Sequence, residues 1–221
     1  MENFPRATSF SPTSVPAAPV SALDFESAKP SIVKSIRQRD LLNTWLRLYA
    51  ADRRLPRIEE YRPERLTEEL PDLVYYTVDM TRDPPGLTIL SNGTRVSSAY
   101  GHAGGGRLLH DYLGPRFAAV VMPVYHHCLA RALPVCTIAH VEDIHGHEVA
   151  YERLLLPFAD RDVVTHAIAS VKAICEDGGF EIKNLMRDTD ELPQPKLRAV
   201  IDRDLFHRTS RASAGEIIEF S

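Results

Sequence analysis

Three strand-like stretches in succession, residues 135–142, 147–158 and 163–174, are joined by turns far too short to hold a helix. The turns are Asp143-Ile144-His145-Gly146 and Asp160-Arg161-Asp162. Strands joined so tightly run antiparallel, because a parallel return needs a crossover of a dozen or more residues. Whatever else the chain does, it has to build around this meander. Upstream, Leu73-Val74-Tyr75-Tyr76-Thr77-Val78 is β-branched and aromatic, and 87–90 is a second short apolar run behind the turn cluster Asp83-Pro84-Pro85-Gly86. Five antiparallel strands are therefore expected.

Helical signals surround these strands. Residues at helical spacing from Pro115 onward place Phe117, Val121, Val124 and Cys128 on one side, with Val120, Tyr125 and Ala132 flanking them. Proline suits the first turn of a helix, and Pro123 falls on the opposite side, where a bend is tolerated. This long helix ends before Pro134. Short helical pieces are expected at 94–100 and 108–113, around the glycine-rich loop 101–106. Leu41, Leu42, Trp45, Leu48 and Tyr49 recur at i, i+3, i+4 and i+7, which predicts an amphipathic helix over roughly 36–51. The predicted class is α+β, with a five-stranded antiparallel sheet, a long helix and short helices over one face, and an N-terminal amphipathic helix.

Composition changes at both ends. Residues 1–35 are rich in Pro and Ser and are expected to be a disordered tail. Residues 36–175 form the domain, and 176–221 a weakly ordered appendage with a short helix over 196–207. A capping-box spacing also occurs at Ser213-Ala214-Gly215-Glu216. The net charge of −4 lacks the basic footprint of a nucleic-acid binder. No run approaches the roughly 18 apolar residues that a membrane span requires. Three cysteines without CxxC spacing and the absence of a leader-like apolar core suit the cytoplasm.

No motif declares a chemistry. The run Gly101-His102-Ala103-Gly104-Gly105-Gly106-Arg107 lacks the Gly-Lys-Ser/Thr ending of a phosphate loop and reads as a connector. His126 and His127 point about 100° apart on a helix and cannot share one ion. His140, His145 and His147 lack the accompanying Cys or carboxylate spacing of a zinc site, so no metal ligands are assigned. Haem ligation would fall to His127, at the margin of the inner stripe. No nucleophile sits in a strand-to-helix elbow, and Cys128 faces inward as inert packing, so no catalytic residue is assigned. In Tyr151-Glu152-Arg153-Leu154-Leu155-Leu156-Pro157, alternation gives each face one charged residue among apolar neighbours. Such a charge must be paired or reach the rim of the sheet, and the rim is expected.

Taken in order, several pieces resemble a PAS domain, and more narrowly the stand-alone alphaproteobacterial PAS family. They are Trp45, Leu55-Pro56, Leu70-Pro71-Asp72-Leu73, Asn92-Gly93-Thr94-Arg95-Val96, Tyr100-Gly101, Tyr125, Pro134 and the run 151–157. The likeness spans about residues 38–175 and departs from the family's pattern at Gly104-Gly105-Gly106-Arg107.

The resemblance implies a non-catalytic sensory or regulatory module with a pocket between the long helix and the sheet. Its expected lining is Phe117, Val121, Val124 and Cys128 from the helix, with His140, Tyr151 and Arg153 from the strands. Residues beyond 176 leave no room for a kinase or cyclase output, so signalling is expected through an unidentified partner protein, gated by a small molecule. A homodimer is expected through Leu41, Leu42, Trp45, Leu48 and Tyr49. The cofactor identity is left open. The alternatives are a haem- or other cofactor-binding sensor and, behind it, an enzyme using the same cavity.

Overall fold

Residues 135–174 pair into the expected meander, and two further segments extend it. The computed structural model describes residues 24–176, 178–187 and 192–203. The strands are β1 (Glu26–Ala28), β2 (Leu73–Asp79), β3 (Gly86–Asn92), β4 (Val135–Glu142), β5 (Glu148–Asp160), β6 (Val163–Ile174) and β7 (Gln194–Ile201). The helices are α1 (Ile36–Asp52), α2 (Leu66–Glu69), α3 (Thr94–Tyr100) and α4 (Leu109–Arg131). The sheet order is β1-β7-β4-β5-β6-β2-β3. Within it β2 to β6 are antiparallel neighbours, β7 runs antiparallel to β4, and β1 runs parallel to β7.

The sheet thus has seven strands rather than five. Residues 196–201 of the segment expected as a C-terminal helix belong to β7, because Leu197, Ala199 and Val200 find partners along the free edge of β4. Part of the expected N-terminal tail is also placed: β1 pairs with β7, and Val33 is buried. Residues 1–23, 204–221 and the 213–216 spacing lie outside the described residues.

Both faces of the sheet are covered. On one, α3 and α4 enclose a core with Tyr76, Val135, Tyr151 and Leu155. On the other, α1 packs Leu41, Leu42, Trp45, Leu46 and Tyr49 against Leu154, Leu156, Phe158 and Ile168. The expected dimer residues Leu41, Leu42 and Trp45 are therefore at most 1% exposed within one chain. Tyr49 is buried and Leu48 is half-buried against the same core, so the apolar stripe already has its cover. Polar bonds fix the helix as well. The Trp45 indole donates to Pro157 O at 2.7 Å, and Gln38 Nε2 donates to Ser170 O at 3.0 Å. Pro157 is tolerated in this long strand because the β4 ladder stops at Leu155.

The long helix breaks between the short piece expected at 108–113 and the helix expected from Pro115. Gly114 adopts φ 72°, in the left-handed region that favours glycine, and Pro115 restarts the helix behind it. Two motif pieces distant in sequence meet above β2. Gly93 lies so close to the Pro71 and Leu70 carbonyls that an added Cβ would stand 2.2 Å from Pro71 O. Its neighbour Arg95 grips Asp72 in a forked ion pair, at 2.5 and 2.6 Å.

Candidate functional site: a buried arginine between the long helix and the sheet

β5 is the central strand of the seven, so neither charge of Tyr151-Glu152-Arg153 reaches the rim, contrary to expectation. Strand alternation sends them to opposite faces: Arg153 lies under α4 with Tyr151, and Glu152 lies on the α1 face with Leu154. Two opposite charges adjacent in sequence are thereby prevented from neutralising each other. Arg153 is 7% exposed and Glu152 5%.

The setting of Arg153 is aromatic rather than acidic. Its guanidinium carbon lies 5.5 Å from the Tyr125 ring centre and 5.7 Å from that of Tyr151. The hydroxyls of Tyr76 and Tyr125 share a buried hydrogen bond of 3.0 Å. Burial pushes the Tyr76, Tyr125 and Tyr151 phenols above their ordinary range, so at neutral pH they carry no charge. Burial works against the charge on Arg153, but a guanidinium is too strong a base to be neutralised by it, and the group stays protonated. Cation–π attraction supplies about 0.5–2 kcal/mol, whereas taking an ion out of water costs several kcal/mol. Among the described residues no carboxylate pairs with Arg153 and its Nε makes no hydrogen bond, while the Tyr151 hydroxyl has the Tyr100 phenol as its polar neighbour.

Two cavities meet at Tyr151. The smaller, about 40 Å³, is lined by Val121, Val124, Thr137, Tyr151, Arg153 and Leu197 among others, and its second charged residue is Arg198. That volume admits a water molecule or a group of similar size. The larger, about 350 Å³, has apolar walls that include Val96, Ala99, Val171, Phe180 and Ile182. Tyr151 is the residue common to both. Arg37, Arg95, Lys172 and Asp72 also line the larger cavity. Lys172 bridges Asp72 and Glu69, the latter at 2.6 Å, while Arg37 reaches Glu69 at 3.4 Å. Burial opposes the charge on Asp72, but Arg95 and Lys172 prevail and hold its carboxyl below the usual range. Three cations thus face two carboxylates, an excess of one positive charge.

The structure brings together Val121, Val124, Tyr151 and Arg153 of the expected pocket residues. Phe117 lines a neighbouring cleft with Tyr100, Tyr112 and Arg187. Cys128 is buried beside them, but burial raises its thiol far above the ordinary value and Sγ donates to Leu133 O at 3.2 Å. His140 lines neither cavity at Tyr151; its ring contacts the Glu148 carboxylate on the adjacent strand. His127 stacks on Phe25, ring centres 3.9 Å apart, in a cleft with Asp24, Arg131 and Val200. The α4 histidine considered for haem therefore lies outside the Arg153 setting. Sequence reading missed Tyr76 and the contributions of β7. Tyr76 carried a signal, since it shares a strand face with Val74 and Val78.

No family model matches the chain, and no curated protein matches it. Among solved structures it resembles a light-oxygen-voltage domain studied with a flavin analogue. That likeness has 13% identity and a TM-score of 0.36, covering 51% of this chain and 83% of the other. By its own coordinates the chain is a mixed α+β domain with a buried arginine that pairs with no carboxylate among the described residues. None of its described helices is long and apolar enough to cross a membrane.

Proposed function

We propose that the chain is a PAS-type sensory module of the stand-alone kind, in which a small molecule between α4 and the sheet controls binding to a partner protein in the cytoplasm. The observation that carries this reading is Arg153. Among the described residues it has no carboxylate partner; such a buried charge is costly to a structural domain and has a purpose where a ligand completes it. α4 suits the role of transmitter, because Val121 and Val124 line the Arg153 cavity while Gly114 and Pro123 break its regularity. A ligand that favours one packing of α4 over another shifts the population a partner meets. A homodimer through the apolar face of α1 is not part of this reading, since that face is buried.

The test is native mass spectrometry and hydrogen exchange on freshly purified protein, before and after unfolding and refolding with dialysis. The expected result is a co-purifying small molecule whose removal raises exchange in α4 and β5. The small-molecule filtrate of a cell extract should then restore protection. A clean protein mass, together with exchange that neither refolding nor the filtrate alters, sinks the reading.

A further inference from the structure

The two cavities at Tyr151 differ in chemistry as well as size. One, about 350 Å³, has apolar walls beside a charged group with an excess of one positive charge. The other is about 40 Å³ and holds the guanidinium of Arg153, with Nε unpartnered. Between them stands the phenol of Tyr151, whose polar neighbour is the Tyr100 phenol. A ligand that satisfies all three has a hydrocarbon body, a head about the size of a water or two, and a single negative charge. A planar carboxylate meets the guanidinium fork through two parallel N–H···O bonds and accepts a third from a phenol. Arg198 is half-buried and keeps its own contact with solvent, so a phosphate dianion would leave a buried charge uncompensated on Arg153. A body in the larger cavity is within the size range of ordinary ligand sites, which begin at roughly 300 Å³.

We propose that these joined cavities bind a small organic monocarboxylate, with its carboxylate on Arg153, its body against Val96, Ala99, Val171 and Phe180, and Tyr151 turning aside to connect them. This rests on the reading of the domain as ligand-controlled and names the ligand class. Tyr151 acts as the gate: in the present packing it walls off Arg153, and its displacement by a carboxylate pushes directly on the α4 face of the core. The charged groups around the entrance, Arg37, Arg95 and Lys172 against Glu69 and Asp72, favour entry of an anion over a cation.

The experiment is titration calorimetry of the full chain with sodium benzoate and sodium hexanoate, against benzamide, hexanamide and sodium phosphate. At least one carboxylate should bind saturably, and at least tenfold more tightly than its amide. Arg153→Met, which keeps an unbranched side chain without the charge, should erase that preference while its circular dichroism stays native. Tyr151→Phe should keep the preference and weaken binding several-fold. Equal affinity for acid and amide overturns the proposal, as does a folded Arg153→Met variant that still prefers the acid. Phosphate binding more tightly than both carboxylates, or no heat from either carboxylate at millimolar concentration, overturns it too. A neutral or cationic molecule in the native mass spectrum would overturn this ligand class and leave the sensory reading standing.

Discussion

Glu152 and Arg153 occupy consecutive positions in one strand, and their backs are to each other across the sheet. The isolation of Glu152 has a measurable consequence. Burial pushes its carboxyl above the ordinary value of 4.5, against the weaker pull of Lys34. A carboxyl whose folded pKa is raised contributes stability that is fully present below its unfolded pKa and lost as pH rises through the folded one. At neutral pH the charged Glu152 is therefore a burden, and Glu152→Gln should melt a few degrees higher than wild type near pH 7. The gap should close as the pH is lowered past 4.5 and the native carboxyl takes up its proton. Thermal melts of both proteins across that range check it; a gap that stays constant, or that opens toward acid, counts against a buried unpaired carboxylate. The alternation that isolates the two charges was legible in the run 151–157. Their depth was not, because a central place for β5 depends on which strands pair beside it, and strand neighbours are set by contacts remote in sequence.

At the scale of elements, α1 shows how an apolar stripe is ambiguous until its cover is known. Leu41, Leu42 and Trp45 have the spacing of a surface that needs burying, and periodicity alone does not say whether a second copy or the chain's own sheet does it. Here the sheet does, and Trp45 adds a hydrogen bond to Pro157. Trp45→Ala should therefore cost about 3–5 kcal/mol of folding stability, the range for removing a buried aromatic side chain. Sedimentation should be the same for variant and wild type at concentrations where both are folded. Denaturant titration reads the first quantity and analytical ultracentrifugation the second. A near-neutral stability with a dissociating oligomer would restore the dimer reading. The meander was legible for a complementary reason: β4, β5 and β6 are joined by short turns, so sequence neighbours are spatial neighbours. The break at Gly114 was legible too, because Pro115 marks a helix start and the piece at 108–113 reads as separate from it.

Across the whole molecule, β7 decides where the sheet ends and what the inner cavity is made of. Without it, β4 would be an edge strand, and Leu197 and Arg198 would be missing from the wall beside Arg153. β1 would lose its only strand partner. The candidate site is thus half legible: α4 and β5 supply residues whose spacing announces an inner wall, while β7 supplies residues that no local pattern ties to them. Its segment carries Leu197, Val200 and Ile201 at intervals compatible with a helix, and only the free edge of β4 selects the extended form. Ending the chain after Arg187 should therefore expose a long edge with unpaired backbone groups, which invites self-association. Hydrogen exchange should show lost protection in β1 and along β4, with β2 and β3 unchanged at the other end of the sheet. Light scattering should show growth with concentration that the full chain lacks. If β4 keeps its protection and the shortened chain stays dispersed, β7 is dispensable, and the wall it lends to Arg153 is not what holds the cavity closed.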